Sequence, residues 1–322
     1  MESFSKTLET HTGSYLARRR RKRAIVAAIA VAVVATVAVG LALLARSGIL
    51  APLAGAGAVS KGKVAADWQE RKWDDVRSEC LVSLASKPLD PFFLTYRGLA
   101  SFYKGMDLPE GEDRAALVDE TVASLRKALA SGGRVPKAEI EYVLGKAYYD
   151  KGDSYYDESV KYLEMSLAAG YQGADSREYL ALAYEALGDK DQAIRNFEAA
   201  LSKSRADLLL VSAAKAYVDG DQAVKAEALL LELIASGKDD LAKEDGRFLL
   251  GEIYKARGDL AKAEDQYSQI LDKDPSSAEA HYRMGLAYQA GGDPIKARAE
   301  WRKAVSLDPM HGAARQKLSE KL

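Results

Sequence analysis

EDGRFLLGEIYKARGDLAKAEDQYSQILDKDP, residues 244–275, is followed after two residues by AEAHYRMGLAYQAGGDPIKARAEWRKAVSLDP, residues 278–309. One pattern is written twice at an offset of 34 residues. Gly251 recurs as Gly285, Tyr254 as Tyr288, Gly258-Asp259 as Gly292-Asp293, Ala263 as Ala297, Tyr267 as Trp301 and Pro275 as Pro309. Leu250, Gly251 and Tyr254 are spaced to share one face of a helix. Gly258-Asp259 ends that helix, because glycine readily takes the left-handed conformation at a helix terminus. Ala263, Tyr267 and Ile270 share a face of a second helix, which Pro275 stops. Gly251 and Ala263 are small where two helices must approach, and Tyr254 and Tyr267 are large enough to fill the space beside them. One such hairpin cannot bury its apolar face alone, whereas stacked copies bury a continuous core.

A fixed 34-residue period in the order small, aromatic, Gly, Ala, aromatic, Pro resembles the tetratricopeptide repeat family. The resemblance implies an all-α fold, a right-handed α-α superhelix of helical hairpins. Weaker copies fall into the same register further upstream. Ala181, Tyr184, Gly188, Ala193 and Phe197 fit a unit starting near Ala174, and Ala214, Tyr217, Ala226 and Leu230 fit one starting near Asp207. Gly145, Tyr148, Gly152, Ser159 and Leu163 fit a unit from Ala138 with two extra residues at Ser154-Tyr155. Pro91 to Ala130 reads as a unit with an enlarged turn at Met106–Asp113. Trp68 to Pro88 reads as a degenerate first unit with Val76, Cys80 and Ser83 on its packing face. About seven units result. His311 to Leu322 reads as the closing helix that such stacks need.

The chain before the repeats has a different character. Arg18 to Arg23 are six consecutive cations, and Ala24 to Ala45 are 22 residues without a charge. As a helix this run would span about 33 Å, enough for a hydrocarbon core of about 30 Å. The cations stand on its N-terminal side, so the positive-inside rule places 1–23 as a basic cytoplasmic tail, 24–45 as a single transmembrane helix and the rest outside. The expected location is the cytoplasmic (inner) membrane, with the repeats extracytoplasmic or periplasmic. A cleaved signal peptide is the rival reading, since Ala54-Gly55-Ala56 and Ala56-Gly57-Ala58 look like peptidase sites. Its apolar core would be unusually long, and Arg46 separates it from those sites. Ala24, Ala28, Ala32, Thr36 and Gly40 recur at every fourth position, a spacing that permits helix–helix packing and a homo-oligomer. Residues 46–62, rich in Gly, Ala and Ser, read as a flexible spacer ahead of a solenoid over 63–322.

Charge and composition narrow the chemistry. The chain has 322 residues and a net charge of −1, yet residues 1–46 carry +6, leaving −7 on the remainder. A mildly acidic solenoid argues against nucleic acid as a partner. Cys80 is the sole cysteine, so no intramolecular disulfide forms, and its packing position suits a small buried hydrophobe. The histidines are His11, His281 and His311, and His11 is expected across the membrane from the others. No catalytic constellation, metal cluster or phosphate loop is legible, so no enzyme activity, cofactor or metal is expected.

What remains is binding. The resemblance implies that first helices line a concave groove and that set positions of each first helix face a ligand. On this chain those positions hold Phe92, Phe102 and Tyr103, then Tyr142, Lys146 and Tyr149, then Glu178 and Glu185. They continue with Phe248, Glu252, Lys255, Tyr282 and Gln289. The N-terminal half of this set is aromatic and the C-terminal half more charged. Such a groove suits an extended peptide or an amphipathic helix. A carboxylate clamp for a peptide C-terminus is not expected, because the only asparagine, Asn196, falls on a second helix. A membrane-anchored, non-catalytic scaffold for protein or peptide partners is the resulting expectation. The alternatives are a chaperone-like accessory of protein export and a structural subunit of an envelope machine.

Overall fold

The computed structural model describes residues 59–320. The basic tail, the apolar run at 24–45, most of the spacer and the last two residues lie outside the described residues. Among the described residues there are fifteen helices and no strand. No helix among them is long and apolar enough to cross a membrane.

The helices pair as seven hairpins and a cap. They are α1 (Lys61–Gln69) with α2 (Trp73–Ser86), α3 (Pro91–Met106) with α4 (Glu112–Ala130), and α5 (Lys137–Asp150) with α6 (Tyr156–Ala168). Next come α7 (Ser176–Ala186) with α8 (Lys190–Leu201), and α9 (Asp207–Asp219) with α10 (Ala223–Ser236). The last pairs are α11 (Asp240–Arg257) with α12 (Leu260–Lys273) and α13 (Ala278–Ala290) with α14 (Pro294–Leu307), closed by α15 (Gly312–Ser319). The first helix begins at Lys61, two residues inside the segment read as spacer. Gly62 is tolerated there because the first turn of a helix has no complete set of internal hydrogen bonds to lose.

Local chemistry sets the helix ends. Asp90 accepts from the Phe92 N–H at 2.9 Å, and Pro91 follows at a position that has no N–H to satisfy. Asp239 accepts from Leu241 and Ala242 at 2.9 and 3.1 Å. Gly258 turns the chain at φ +82° and Gly292 at φ +77°, the left-handed region that the paired Gly-Asp steps predict. The five-residue link 151–155 carries the extra length expected at Ser154-Tyr155.

Packing within each hairpin is tight where the small residues fall. A Cβ on Gly251 would stand 2.5 Å from the Tyr267 ring, and one on Gly145 would stand 2.5 Å from Leu163. Tyr267, Trp301, Phe197, Leu163 and Leu230 are fully buried. A continuous apolar core runs from Ala181 to Ala287. Cys80 is buried as expected, and burial pushes its thiol up to about 12. At the C-terminal end, Arg298 donates to the Leu318 and Glu320 carbonyls at 2.9 and 3.2 Å, tying α15 to α14.

Each hairpin touches the next, and each first helix also touches the following first helix, from α1–α3 through to α11–α13. The second helices form no such series among the described residues. Neighbouring first helices are therefore closer together than neighbouring second helices, which puts the first helices on the concave side of the stack.

Candidate partner-binding groove

The concave side begins with an aromatic cluster on α1 to α3. Trp68 lies 5.0 Å from Trp73, 5.3 Å from Tyr96 and 5.7 Å from Tyr103, and Tyr103 stacks on Trp73 at 5.4 Å. Phe92 meets Tyr96 at 4.5 Å. A cleft of about 240 Å³ opens among Trp68, Phe92, Tyr96, Arg134 and Glu139. Thr95 forms part of its wall, with a hydroxyl that is buried and has no hydrogen-bond partner. Cations of the chain already stand here: Lys61 lies 5.1 Å from the Phe92 ring and 3.3 Å from Asp90, and Arg134 lines the cleft.

The third and fourth hairpins continue the surface. Lys146 on α5 reaches across to α7, with its ammonium 2.7 Å from an Asp175 carboxylate oxygen. The same ammonium stands over three rings, at 4.4 Å from Tyr179, 5.2 Å from Tyr142 and 5.6 Å from Phe102. Tyr142 donates to Asp175, and burial, reinforced by that bond, drives its hydroxyl far above the usual phenol range. The Tyr142 ring also meets Tyr171 at 5.1 Å. One turn further along, Tyr149 lies 5.4 Å from Tyr156 and 5.4 Å, edge to face, from Tyr179. Burial pushes Tyr179 up to about 12.

Two acids on α7 border these rings. Glu178 and Glu185 are half-buried, and among the described residues neither has a cation within ion-pair distance or a hydrogen-bond partner. Both carboxyls sit above their usual range, first through burial and then through a neighbouring acid, Asp175 for Glu178 and Asp219 for Glu185.

The sequence-predicted positions thus divide. Phe92, Tyr103, Tyr142, Tyr149, Glu178 and Glu185 come together along the concave surface of the first four hairpins. Phe102 is 5 % exposed and Lys146 is 9 % exposed, so both support that surface from beneath rather than line it. In the sixth and seventh hairpins the same register positions are occupied by internal contacts. Arg283 covers Phe248 at 5.0 Å, and Glu252 is held by Lys255, by Arg283 at 3.4 Å and by the Tyr267 hydroxyl at 2.9 Å. Tyr282 packs against His311 at 4.9 Å, and Gln289 is exposed. The register reading omitted Trp68, Trp73, Tyr96, Tyr171, Asp175 and Tyr179. A charged cleft of about 190 Å³ between α11 and α12, lined by Asp240, Lys243, Glu244 and Lys273, belongs to a single hairpin and is separate from this surface.

Seven stacked hairpins with tight Gly/Ala crossings and a closing helix define a helical-repeat solenoid. Three stretches of it, residues 142–207, 251–292 and 278–311, match tetratricopeptide repeat family models. Comparison with curated proteins finds no match. Among solved structures, the C-terminal part of a TPR repeat-containing protein from Cytophaga hutchinsonii superposes with a TM-score of 0.60 at 16 % identity, covering 81 % of this chain and 100 % of that one. YrrB, described as a TPR protein with an unusual peptide-binding site, gives 0.48 at 20 % identity over 61 % of this chain and 97 % of that one. MamA from Desulfovibrio magneticus gives 0.49 at 18 % identity over 56 % and 99 %. At these identities the likeness is one of fold. A fold of this kind is typically a non-catalytic surface for protein or peptide partners.

Proposed function

We propose that this protein is a membrane-anchored scaffold that binds a protein or peptide partner on the concave face of its first four hairpins, on the extracytoplasmic side of the inner membrane. The aromatic surface carries the reading. Trp68, Phe92, Tyr96, Tyr103, Tyr149 and Tyr179 sit on first helices, where they pack on one another and each keeps part of its surface open. Such rings offer large amphipathic contact area at low entropic cost. The anchor rests on the uncharged run Ala24–Ala45 behind Arg18–Arg23.

Photo-crosslinking in cells from a probe at position 149, read by mass spectrometry, tests the proposal. One dominant envelope protein is the expected product. A spread of unrelated envelope proteins would replace the scaffold with a chaperone-like role, and a crosslink only to itself would replace it with a structural one. No product from 149 alongside products from a convex position would remove the groove altogether.

A further inference from the structure

Resting on the groove just proposed, we infer that its occupant is a basic peptide segment, with Arg or Lys side chains seated against the Tyr149–Tyr179 ring pair, one beside Glu178 and one beside Glu185.

The fold shows how this surface takes a cation, because it already holds one of its own. The Lys146 ammonium sits against the Asp175 carboxylate with the faces of Tyr179, Tyr142 and Phe102 around it. One turn further along α5 and α7 the same kinds of group recur. Tyr149 and Tyr179 stand edge to face at 5.4 Å, and Glu185 lies close enough to Tyr149 to act on its hydroxyl through space. This second set shares Tyr179 with the first; among the described residues no cation of the chain is within ion-pair distance of either acid, and Lys146 acts on Glu178 only from a distance. Lys215, the nearby cation on α9, is exposed and acts on Glu185 only from a distance.

A half-buried carboxylate without a counter-charge is costly, since it has given up part of its hydration for no return. Burial and the neighbouring acids raise both carboxyls accordingly. An arriving guanidinium or ammonium would relieve that cost and gain the ring faces together, as cations do over desolvated aromatic rings. The surroundings favour the same sign of ligand. Glu139 acts on both Tyr103, in the second hairpin, and Tyr171, in the link before α7, with Arg134 lining the cleft beside it. The C-terminal hairpins offer no equivalent, because Glu252 there is already paired with Lys255 and Arg283.

The test uses the full chain in mild non-ionic detergent and three dye-labelled peptides of equal length, in which every third residue is Arg, Glu or Leu. Fluorescence anisotropy should show the Arg peptide binding at least tenfold tighter than the Glu peptide, with affinity falling as salt rises. Glu178→Gln with Glu185→Gln should weaken the Arg peptide at least tenfold and leave the melting curve in place. If that double variant melts early, Glu185→Gln alone carries the test, with a loss of at least threefold expected. Equal binding of the Arg and Glu peptides, or Arg-peptide affinity within twofold of wild type in the Gln variants, would overturn the inference. Tight binding of the Leu peptide alone, competed by crosslinking at position 149, would keep the groove and discard its preference for cations.

Discussion

Gly285 is where the repeat architecture is easiest to break by one methyl group. A Cβ built there would stand 2.3 Å from Trp301 Nε1, 2.5 Å from its Cδ1 and 3.0 Å from the Ala297 carbonyl oxygen. Trp301 is 1 % exposed, and its Nε1 donates to the Tyr282 carbonyl at 3.2 Å. The indole can yield only by giving up that hydrogen bond or by pushing α14 away from α13. Alanine in place of glycine favours a helix by about 1 kcal/mol. Overpacking costs about 1–3 kcal/mol, and a lost hydrogen bond about 1 kcal/mol. Gly285→Ala should therefore destabilise by about 1–3 kcal/mol and lower the melting temperature by roughly 3–10 °C. Because a repeat stack unfolds from its weakened units, amide exchange should accelerate first in α13 to α15. Gly246→Ala is the control. Its Cβ would meet only side-chain atoms, Leu233 Cδ2 at 3.0 Å and Leu230 Cδ2 at 3.7 Å, so the propensity gain should offset the contact. Gly285→Ala melting at or above wild type would mean that the two helices do not approach as described.

Tyr142→Phe removes the donor to Asp175 while leaving the ring against Tyr171 and leaving Lys146 on Asp175; it should cost about 1–2 kcal/mol in a chemical melt, and an unchanged midpoint would show that the bond is not made. Alkaline stability follows from buried acids whose folded pKa is raised: Cys80, Tyr179 and Tyr217 are each pushed up to about 12, burial being the first cause in every case. In the unfolded chain a thiol titrates near about 8.5 and a phenol near about 10. Their contribution is complete below those values and is lost as pH rises toward about 12, so the melting temperature should begin to fall near about pH 9 and drop steeply above about pH 10. A flat profile to about pH 11 would contradict the burial of these groups.

The period made the hairpins legible because it is fixed by geometry. A residue small enough for a helix crossing, a ring large enough to fill beside it and a glycine able to turn at positive φ must recur at one spacing, and Gly251/Tyr267/Gly258 and Gly285/Trp301/Gly292 do. Register says only which way a first-helix residue faces. It could not say whether that residue is already engaged. Phe102 and Lys146 face inward yet lie beneath the surface. Tyr171 and Asp175 stand in the link before α7, where no helical register applies, and Trp68 is the penultimate residue of a nine-residue helix too short to show a period. Tyr96 was within reach of the sequence, one turn after Phe92 on the same face. The rings at Tyr142 and Tyr149 also prove to pack across α5 and α7, so truncating both to alanine would strip packing as well as surface. Removing charge from Glu178 and Glu185 separates the two effects.

What distinguishes the two halves of the solenoid is where their charges are spent. Glu252 and Lys255 occupy register positions equivalent to Lys146 and Tyr149, and with Arg283 they close an ion network that spans the last two hairpins. Arg283 then covers Phe248, so ring and charge are satisfied within the chain. In the third and fourth hairpins Lys146 pairs with Asp175 and acts on Glu178 only from a distance, and among the described residues neither Glu178 nor Glu185 has an ion-pair partner of its own. A stack needs its end rigid, because the terminal hairpin has a neighbour on one side only. The proposed groove is incompletely satisfied, and a surface that had already met its own electrostatic demands would have nothing to gain from a partner. The same helical hairpin serves both ends by changing which acids have a cation one helix away.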